Sequence, residues 1–151
     1  MKLVIGLGNP GQVYLNNRHN VGYLVADKVK NLTAKKTNVF MNDSGSAVAD
    51  ILKKYPKTSL NDLYIVHDDL DIPLGQYKIQ FGRGPKDHNG IKDIESKLET
   101  EDFWRVRIGV DNRDPNNRVL GEEYVLEDFT TDERKIIDDV VDEICKKLAT
   151  L

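Results

Sequence analysis

Three histidines occur in this chain, and each stands directly before an amide or a carboxylate: His19-Asn20, His67-Asp68 and His88-Asn89. Imidazole is the side chain that titrates near neutral pH, so these pairs are the first candidates for moving a proton. Two of them lie in compact polar strings, RHN and HNG, beside turn-rich segments. The pattern points to side chains gathered for acid–base chemistry or hydrogen bonding at one site, provided the fold brings them together. Cys145 falls in a helical stripe near the end of the chain, where packing is its expected role, and a lone cysteine allows no internal disulfide.

The elements that must position these residues can be read from hydrophobic period. Residues 2–7 (KLVIGL) form a short buried strand ended by glycine, and 8–20 (GNPGQVYLNNRHN) an ordered loop. Val21, Leu24, Val25, Val29 and Leu32 recur at helical spacing, and a basic connector carrying Lys35 and Lys36 follows. Residues 44–55 form a second amphipathic helix, stopped by Pro56 and capped from Asn42, Asp43 or Ser44. Residues 62–67 and 75–81 read as strands, and DIPLG between them suggests a hairpin. A loop at 82–90 leads into a helix at 91–98. Residues 103–110 (FWRVRIGV) read as a strand with Arg105 and Arg107 on one face, and 131–148 as a long terminal helix. Strands alternating with helices predict a single three-layer α/β domain over 1–151, a twisted mixed sheet flanked by helices. In such sheets ligands sit outside the strand ends, where loops 8–20, 67–71 and 82–90 would converge.

Bulk composition narrows the class. A charged share of 31% and a mean hydropathy of −0.51 exclude a run of about 20 apolar residues that could span a membrane. The N-terminal apolar stretch is too short for a signal peptide, and a reducing cytoplasm is the expected compartment. Net charge is −3, but ten acidic and four basic side chains fall in 121–151, leaving 15 acidic and 18 basic before them. Overall acidity therefore does not exclude a polyanionic partner. GLGNPG at 6–11 matches the dinucleotide pattern, yet Pro10 and the polar run after it oppose the immediate helix a pyrophosphate needs. His19, His67, Asp68, Asp69, Asp71 and His88 could in principle be metal ligands, but no HExxH, EF-hand or CxxC spacing occurs, so no metal and no cofactor is expected.

Five strings, GLGNPG (6–11), RHNVG (18–22), FMNDSG (40–45), HDDLDIPLG (67–75) and HNGIKDI (88–94), together resemble the bacterial peptidyl-tRNA hydrolase family, in that family's order. RIGV at 107–110 and VLEDF at 125–129 continue the match. The resemblance implies hydrolysis of the ester joining a peptide to the terminal ribose of tRNA, by a monomer that needs no cofactor. It implies His19 as the general base activating water, Asp68 as the carboxylate orienting it, and Asn9 as the group holding the reacting carbonyl or its oxyanion. Asn42 and Asn89 would bind the peptide backbone and water, Met41 and Tyr14 would shape the cleft, and His88 and Asn20 would support them. Such an ester needs a nucleophile and charge stabilisation, and no serine or cysteine stands in a nucleophile-like setting, so direct attack by water is the simpler mechanism.

tRNA would then be held mainly through phosphates, with Lys78, Arg83, Lys86, Arg105 and Arg107 as candidates. This chain departs from the family where Gln80 stands in place of a basic residue and where the loop before HNG reads RGPKD rather than nearly all glycine. It is also shorter, with a segment missing near 33–39 where members have an additional strand or two, and with a last helix that looks cropped. Those departures raise a second expectation: an RNA-binding relative that keeps the fold with impaired turnover.

Overall fold

The protein is described by a computed structural model covering residues 2–151. Its sheet is built from β1 (Leu3–Gly6), β2 (Thr33–Lys36), β3 (Leu63–Pro73), β4 (Tyr77–Phe81) and β5 (Trp104–Asp111). The order across the sheet is β2-β1-β3-β5-β4. All neighbours run parallel except the last pair, β5 and β4, so the sheet is mixed as expected. The helices are α1 (Val21–Lys28), α2 (Ser44–Lys54), α3 (Asn89–Leu98), the short α4 (Gly121–Tyr124) and α5 (Thr131–Thr150).

Period-two alternation divides the core in two. Val4, Tyr64, Val66, Val106, Ile108 and Val110 face a cluster with Val21 and Val25 of α1 and Ile137, Val141 and Ile144 of α5. Leu3, Ile5, Leu7, Leu63 and Ile65 face the other cluster, with Val48 of α2 and Ile91 and Ile94 of α3. Helices thus cover both faces, which is why the central strands read as continuous apolar runs. None of these helices is long and apolar enough to cross a membrane, among the described residues.

Two local expectations are corrected. The connector after α1 contains a strand: Val29 leaves helical geometry, and Thr33–Lys36 pairs with the free edge of β1. A four-residue edge strand carrying Lys35 and Lys36 is the sort of blunted edge that discourages further pairing. The hairpin between 62–67 and 75–81 does not form. β3 continues to Pro73, and β4 pairs antiparallel with β5, which lies between the two. β5 is buried on both faces and takes the inner position, while β4, with Lys78 and Phe81 exposed, suits the edge.

The chain passes from β1 outward to β2, then back across β1 to β3. The crevice at the carboxyl ends of β1 and β3 is therefore a topological switch point. Gly22 lets α1 reach it: a Cβ there would lie 2.3 Å from the Val66 carbonyl oxygen.

Candidate active site

Residues of β3 and residues following β1, β2, β4 and β5 meet in a cleft of about 740 Å³ at this switch point. Asp68 lies at its floor midway along β3, two residues past the last residue paired with β1, with 1% of its surface exposed. His19, on the turn Arg18–Asn20 before α1, places Nδ1 2.8 Å from both Asp68 carboxylate oxygens. His88 places Nε2 2.9 Å from Oδ1 of the same carboxylate.

The surrounding bonds assign the protons. His88 is the N-cap of α3, and its Nδ1 accepts from the Ile91 backbone N–H at 3.2 Å. Its proton must then sit on Nε2, donated to Asp68. His19 likewise donates Nδ1–H to Asp68, which leaves its Nε2 a bare acceptor in a residue that lines the cleft. Burial pushes the Asp68 carboxyl up, but the electrostatic attraction of its two imidazole partners, His19 before His88, and the hydrogen bond each gives it outweigh it. The group is held below the usual carboxylate range, ionised at neutral pH.

His67 has a different part. Its ring is fully buried, packs edge-on against His88 with centroids 5.1 Å apart, and donates Nδ1–H to the Asp68 carbonyl oxygen at 2.7 Å. Burial, then the neighbouring His88, lower its pKa to about 3, so it stays neutral. The third histidine pair thus converges with the others, but its imidazole lies behind the cleft rather than on its rim.

Asn9 follows β1, where Leu7 N–H bonds the Val66 carbonyl at 2.9 Å and keeps the two strand ends together. Met41 N–H donates to Asn9 Oδ1 at 2.7 Å, which fixes the amide and leaves Nδ2 as a neutral donor. Asn9 lines the cleft, as do Tyr14, Met41, Asn42 and Asn89. Tyr14 meets Phe40 edge-on at 6.2 Å, forming one apolar wall. Asn42 and Asn89 also border an adjoining open groove of about 430 Å³ with Lys92, Asp93 and Ser96.

Asn20 supports the cleft without lining it, so it is not a substrate contact. It is 2% exposed, and both ends of its amide are spent on the Asn9 backbone, accepting from N–H and donating to the carbonyl at 2.8 Å each. It fixes where Asn9 points.

The basic residues divide. Lys78, Arg83 and Lys86 are exposed. Arg107 is half-buried, with Nε on Asp69 and Nη1 on Gln80, each at 2.7 Å. Gly84, at φ 63°, lies over that guanidinium, where a Cβ would fall 2.4 Å from its central carbon. Arg105 is corrected. It is 1% exposed, ion-paired to Glu95 at 2.8 Å and bonded to the carbonyls of Gly84 and Glu101, so no solvent-borne phosphate can reach it. It braces the 82–87 loop from beneath.

Sequence reading missed a further wall, made by Arg113, Arg118, Leu120, Gly121, Glu122, Val125 and Leu126. Arg113 is spent on Asp111 and the Val119 carbonyl, whereas Arg118 keeps an exposed guanidinium beside Asp111. The polar turn 111–119 offered no periodicity from which this wall could be drawn.

Fold and site together define an α/β protein with a carboxylate-held histidine at the switch point of its sheet. The sequence profile described as Peptidyl-tRNA hydrolase matches residues 3–39 and 28–151. The peptidyl-tRNA hydrolase of Neisseria meningitidis serogroup C (strain 053442) is 37% identical over 166 positions, covering 93% of this chain and 85% of that protein. The peptidyl-tRNA hydrolase of Sulfurihydrogenibium sp. (strain YO3AOP1) is 38% identical over 164, with the same coverage. The crystal structure of peptidyl-tRNA hydrolase from Acinetobacter baumannii superposes with a TM-score of 0.85 at 26% identity, over 100% of this chain and 88% of that one. The chain belongs to the peptidyl-tRNA hydrolase family. The Neisseria alignment runs to 166 positions against 151 residues here, and the profile match breaks within 28–39, where the shorter connector holds only β2.

Proposed function

We propose that the chain hydrolyses the ester between peptide and tRNA, with water as nucleophile and His19 as its general base. The observation that carries this reading is the double acceptance at Asp68, which leaves His19 Nε2 free in a cleft that Asn9 also lines. Nε2 takes a proton from water as its oxygen attacks the ester carbonyl. Asp68 steadies the imidazolium, and Asn9 Nδ2 donates to the carbonyl oxygen as it gains charge. On collapse of the tetrahedral intermediate the imidazolium returns the proton to the departing ribose oxygen, releasing tRNA and a peptide acid.

A neutral donor at Asn9 suits the task, because it supports the oxyanion without adding charge beside the histidine and carboxylate. Asn42 and Asn89 are the proposed grips on the peptide, and Met41 and Tyr14 its apolar walls. Exposed Lys78, Arg83 and Lys86, the anchored Arg107, and now Arg118 are the proposed phosphate contacts. His19 Nδ1, Asp68 and His88 Nε2 lie within 4.8 Å of one another, near enough to hold a cation. The proton that α3 imposes on His88 Nε2 opposes ligation there, since a metal needs that nitrogen bare. The mechanism proposed here uses no metal or cofactor, and the protein is proposed to work as a cytoplasmic monomer.

The test is cleavage of N-acetyl-aminoacyl-tRNA by the wild type beside His19→Ala, with filter binding of the same tRNA. Release by the wild type and loss of about 10²-fold or more in the variant, binding retained, is the expected result. Equal, negligible release by both with salt-sensitive binding would instead make this an RNA-binding relative without useful turnover.

A further inference from the structure

Arg18 is a buried cation one residue from the proposed base, and it does not line the cleft. Arg18 is 4% exposed, and its guanidinium lies 3.8 Å over the ring of Tyr124. Nη2 donates to Glu133 Oε1 at 2.8 Å, and Nη1 donates to the Tyr124 carbonyl at 3.2 Å with Glu127 a further 3.5 Å contact. Glu133 is itself 5% exposed and closes the capping box of α5 by accepting from Thr130 N–H, while its other oxygen accepts from Asn112 Nδ2. Burial pushes the Glu133 carboxyl up, but the bonds from Thr130, Asn112 and Arg18 bring it below the usual range.

The backbone repeats the connection. Arg18 N–H donates to the Glu127 carbonyl at 3.1 Å and His19 N–H to the Val125 carbonyl at 2.8 Å. The three-residue turn that carries His19 has no side-chain cap of its own. It is fastened at Asn20 to the Asn9 backbone and at Arg18 and His19 to the 124–133 segment, and that segment begins as the cleft wall with Val125 and Leu126. Around the His19 ring, among the described residues, only Asp68 supplies a side-chain hydrogen bond. The position of the ring therefore depends on where the turn is held.

We infer that Arg18 is a positioning residue for the reaction: pinned by Glu133 and Tyr124, it sets the His19 imidazole against Asp68 and couples it to the cleft wall. The inference rests on the hydrolytic reading above. A base displaced by about 1 Å can cost on the order of 10²-fold in turnover, while substrate contacts elsewhere in the cleft stay unchanged. Lysine cannot substitute, because a single ammonium cannot span Glu133 and the Tyr124 carbonyl or stack on the ring as the planar fork does.

The experiment compares wild type, Arg18→Lys and Glu133→Gln. Glutamine keeps the shape and an acceptor for Thr130 N–H but removes the charge facing Arg18. Steady-state cleavage of N-acetyl-aminoacyl-tRNA is measured well below each variant's Tm, normalised to folded protein by circular dichroism. The low-field proton resonance of His19 Nδ1–H, assigned by its loss in His19→Ala, is followed in parallel. Expected are a fall in kcat of about 10- to 100-fold for Arg18→Lys, a smaller fall for Glu133→Gln, KM within about threefold, and a shifted or broadened resonance. A merely structural role would lower Tm and leave kcat per folded molecule and the resonance alone, and that result overturns the inference. If Arg18→Lys does not fold, Glu133→Gln decides by the same two readouts. A wild type that cleaves nothing refutes the hydrolytic reading instead, while the resonance still tests the coupling.

Discussion

Replacing Asp68 by asparagine changes one atom's chemistry and almost no volume, and the hydrogen bonds around the carboxylate dictate the outcome. His88 must keep its proton on Nε2, because Ile91 N–H occupies Nδ1. The new side chain therefore has to offer its oxygen to His88, which turns its NH2 toward His19 Nδ1, 2.8 Å from the position of Oδ2. The oxygen at the Oδ1 position also lies 2.8 Å from Nδ1, but a proton kept on Nδ1 would set two donors 2.8 Å apart, so Nδ1 accepts from the NH2 and the His19 proton moves to Nε2, the atom that has to be bare to take a proton from water. The same tautomer reversal in the Ser-His-Asp triad costs about 10⁴ in kcat. A general base is worth roughly 10²–10⁴-fold, so a fall in kcat of that order, about 3–5 kcal/mol, is expected here. KM should stay within about threefold, since Asp68 is 1% exposed and offers little to bind. Single-turnover and steady-state cleavage of N-acetyl-aminoacyl-tRNA measure both. A variant that keeps kcat within about threefold, or loses activity only through KM, would refute the tautomer argument.

Other consequences can be checked alongside. Asn9→Ala removes the proposed oxyanion donor and should cost about 10²–10³ in kcat, and it also orphans the Met41 N–H, lowering stability by about 1–3 kcal/mol. Asn9→Asp keeps an acceptor for Met41 but has no donor, so urea melts should show stability retained and activity lost; activity retained would argue against the role. The pKa of His67 falls from 6.5 to about 3 on folding, so the native state binds fewer protons than the unfolded chain between those values. Stability should therefore fall as pH drops below 6.5, by at most about 1.4 kcal/mol per unit from this group, whereas the stabilisation from Asp68 is lost only below the ordinary carboxylate value of 3.8. Urea unfolding at pH 7 and pH 5 should show a smaller drop for His67→Asn than for the wild type, and equal drops would contradict the burial argument. Arg118→Ala should weaken tRNA binding and reduce the slope of log affinity against log salt by about one, as filter binding over a salt series would register; an unchanged slope would remove Arg118 from the phosphate contacts.

Much of the frame was legible because it is written in local periods. Leu3, Ile5 and Leu7 against Val4, and the stripe of α5, need only their own spacing to be read. The catalytic candidates were legible for another reason: each sits in a short polar string, two of them beside turns that converge on the cleft, although the expected loop 67–71 is part of β3. What escaped depends on partners remote in sequence. Alternation put Arg105 and Arg107 on one face of β5 but could not say that the 82–87 loop and Glu95 would cover Arg105. Nothing within DIPLG shows that β5 will insert where a hairpin could have closed, since that arises from the burial β5 demands on both faces. Asn20 reads as polar and adjacent to the base, yet its amide is consumed by a backbone eleven residues away. The wall from Arg113 to Leu126 lies in a segment with little regular structure, and its place is set by the bonds to Arg18 and His19.

The measurement that bears most directly on the proposed mechanism is the tautomeric state of the three imidazoles, from long-range nitrogen–proton correlation spectra of protein labelled with ¹⁵N-histidine at pH 8. The geometry requires a proton on Nδ1 of His19 and His67 and on Nε2 of His88, with His19 Nε2 showing the shift of a bare nitrogen. A spectrum placing the His19 proton on Nε2 would leave the water without its base, and the account would fail there.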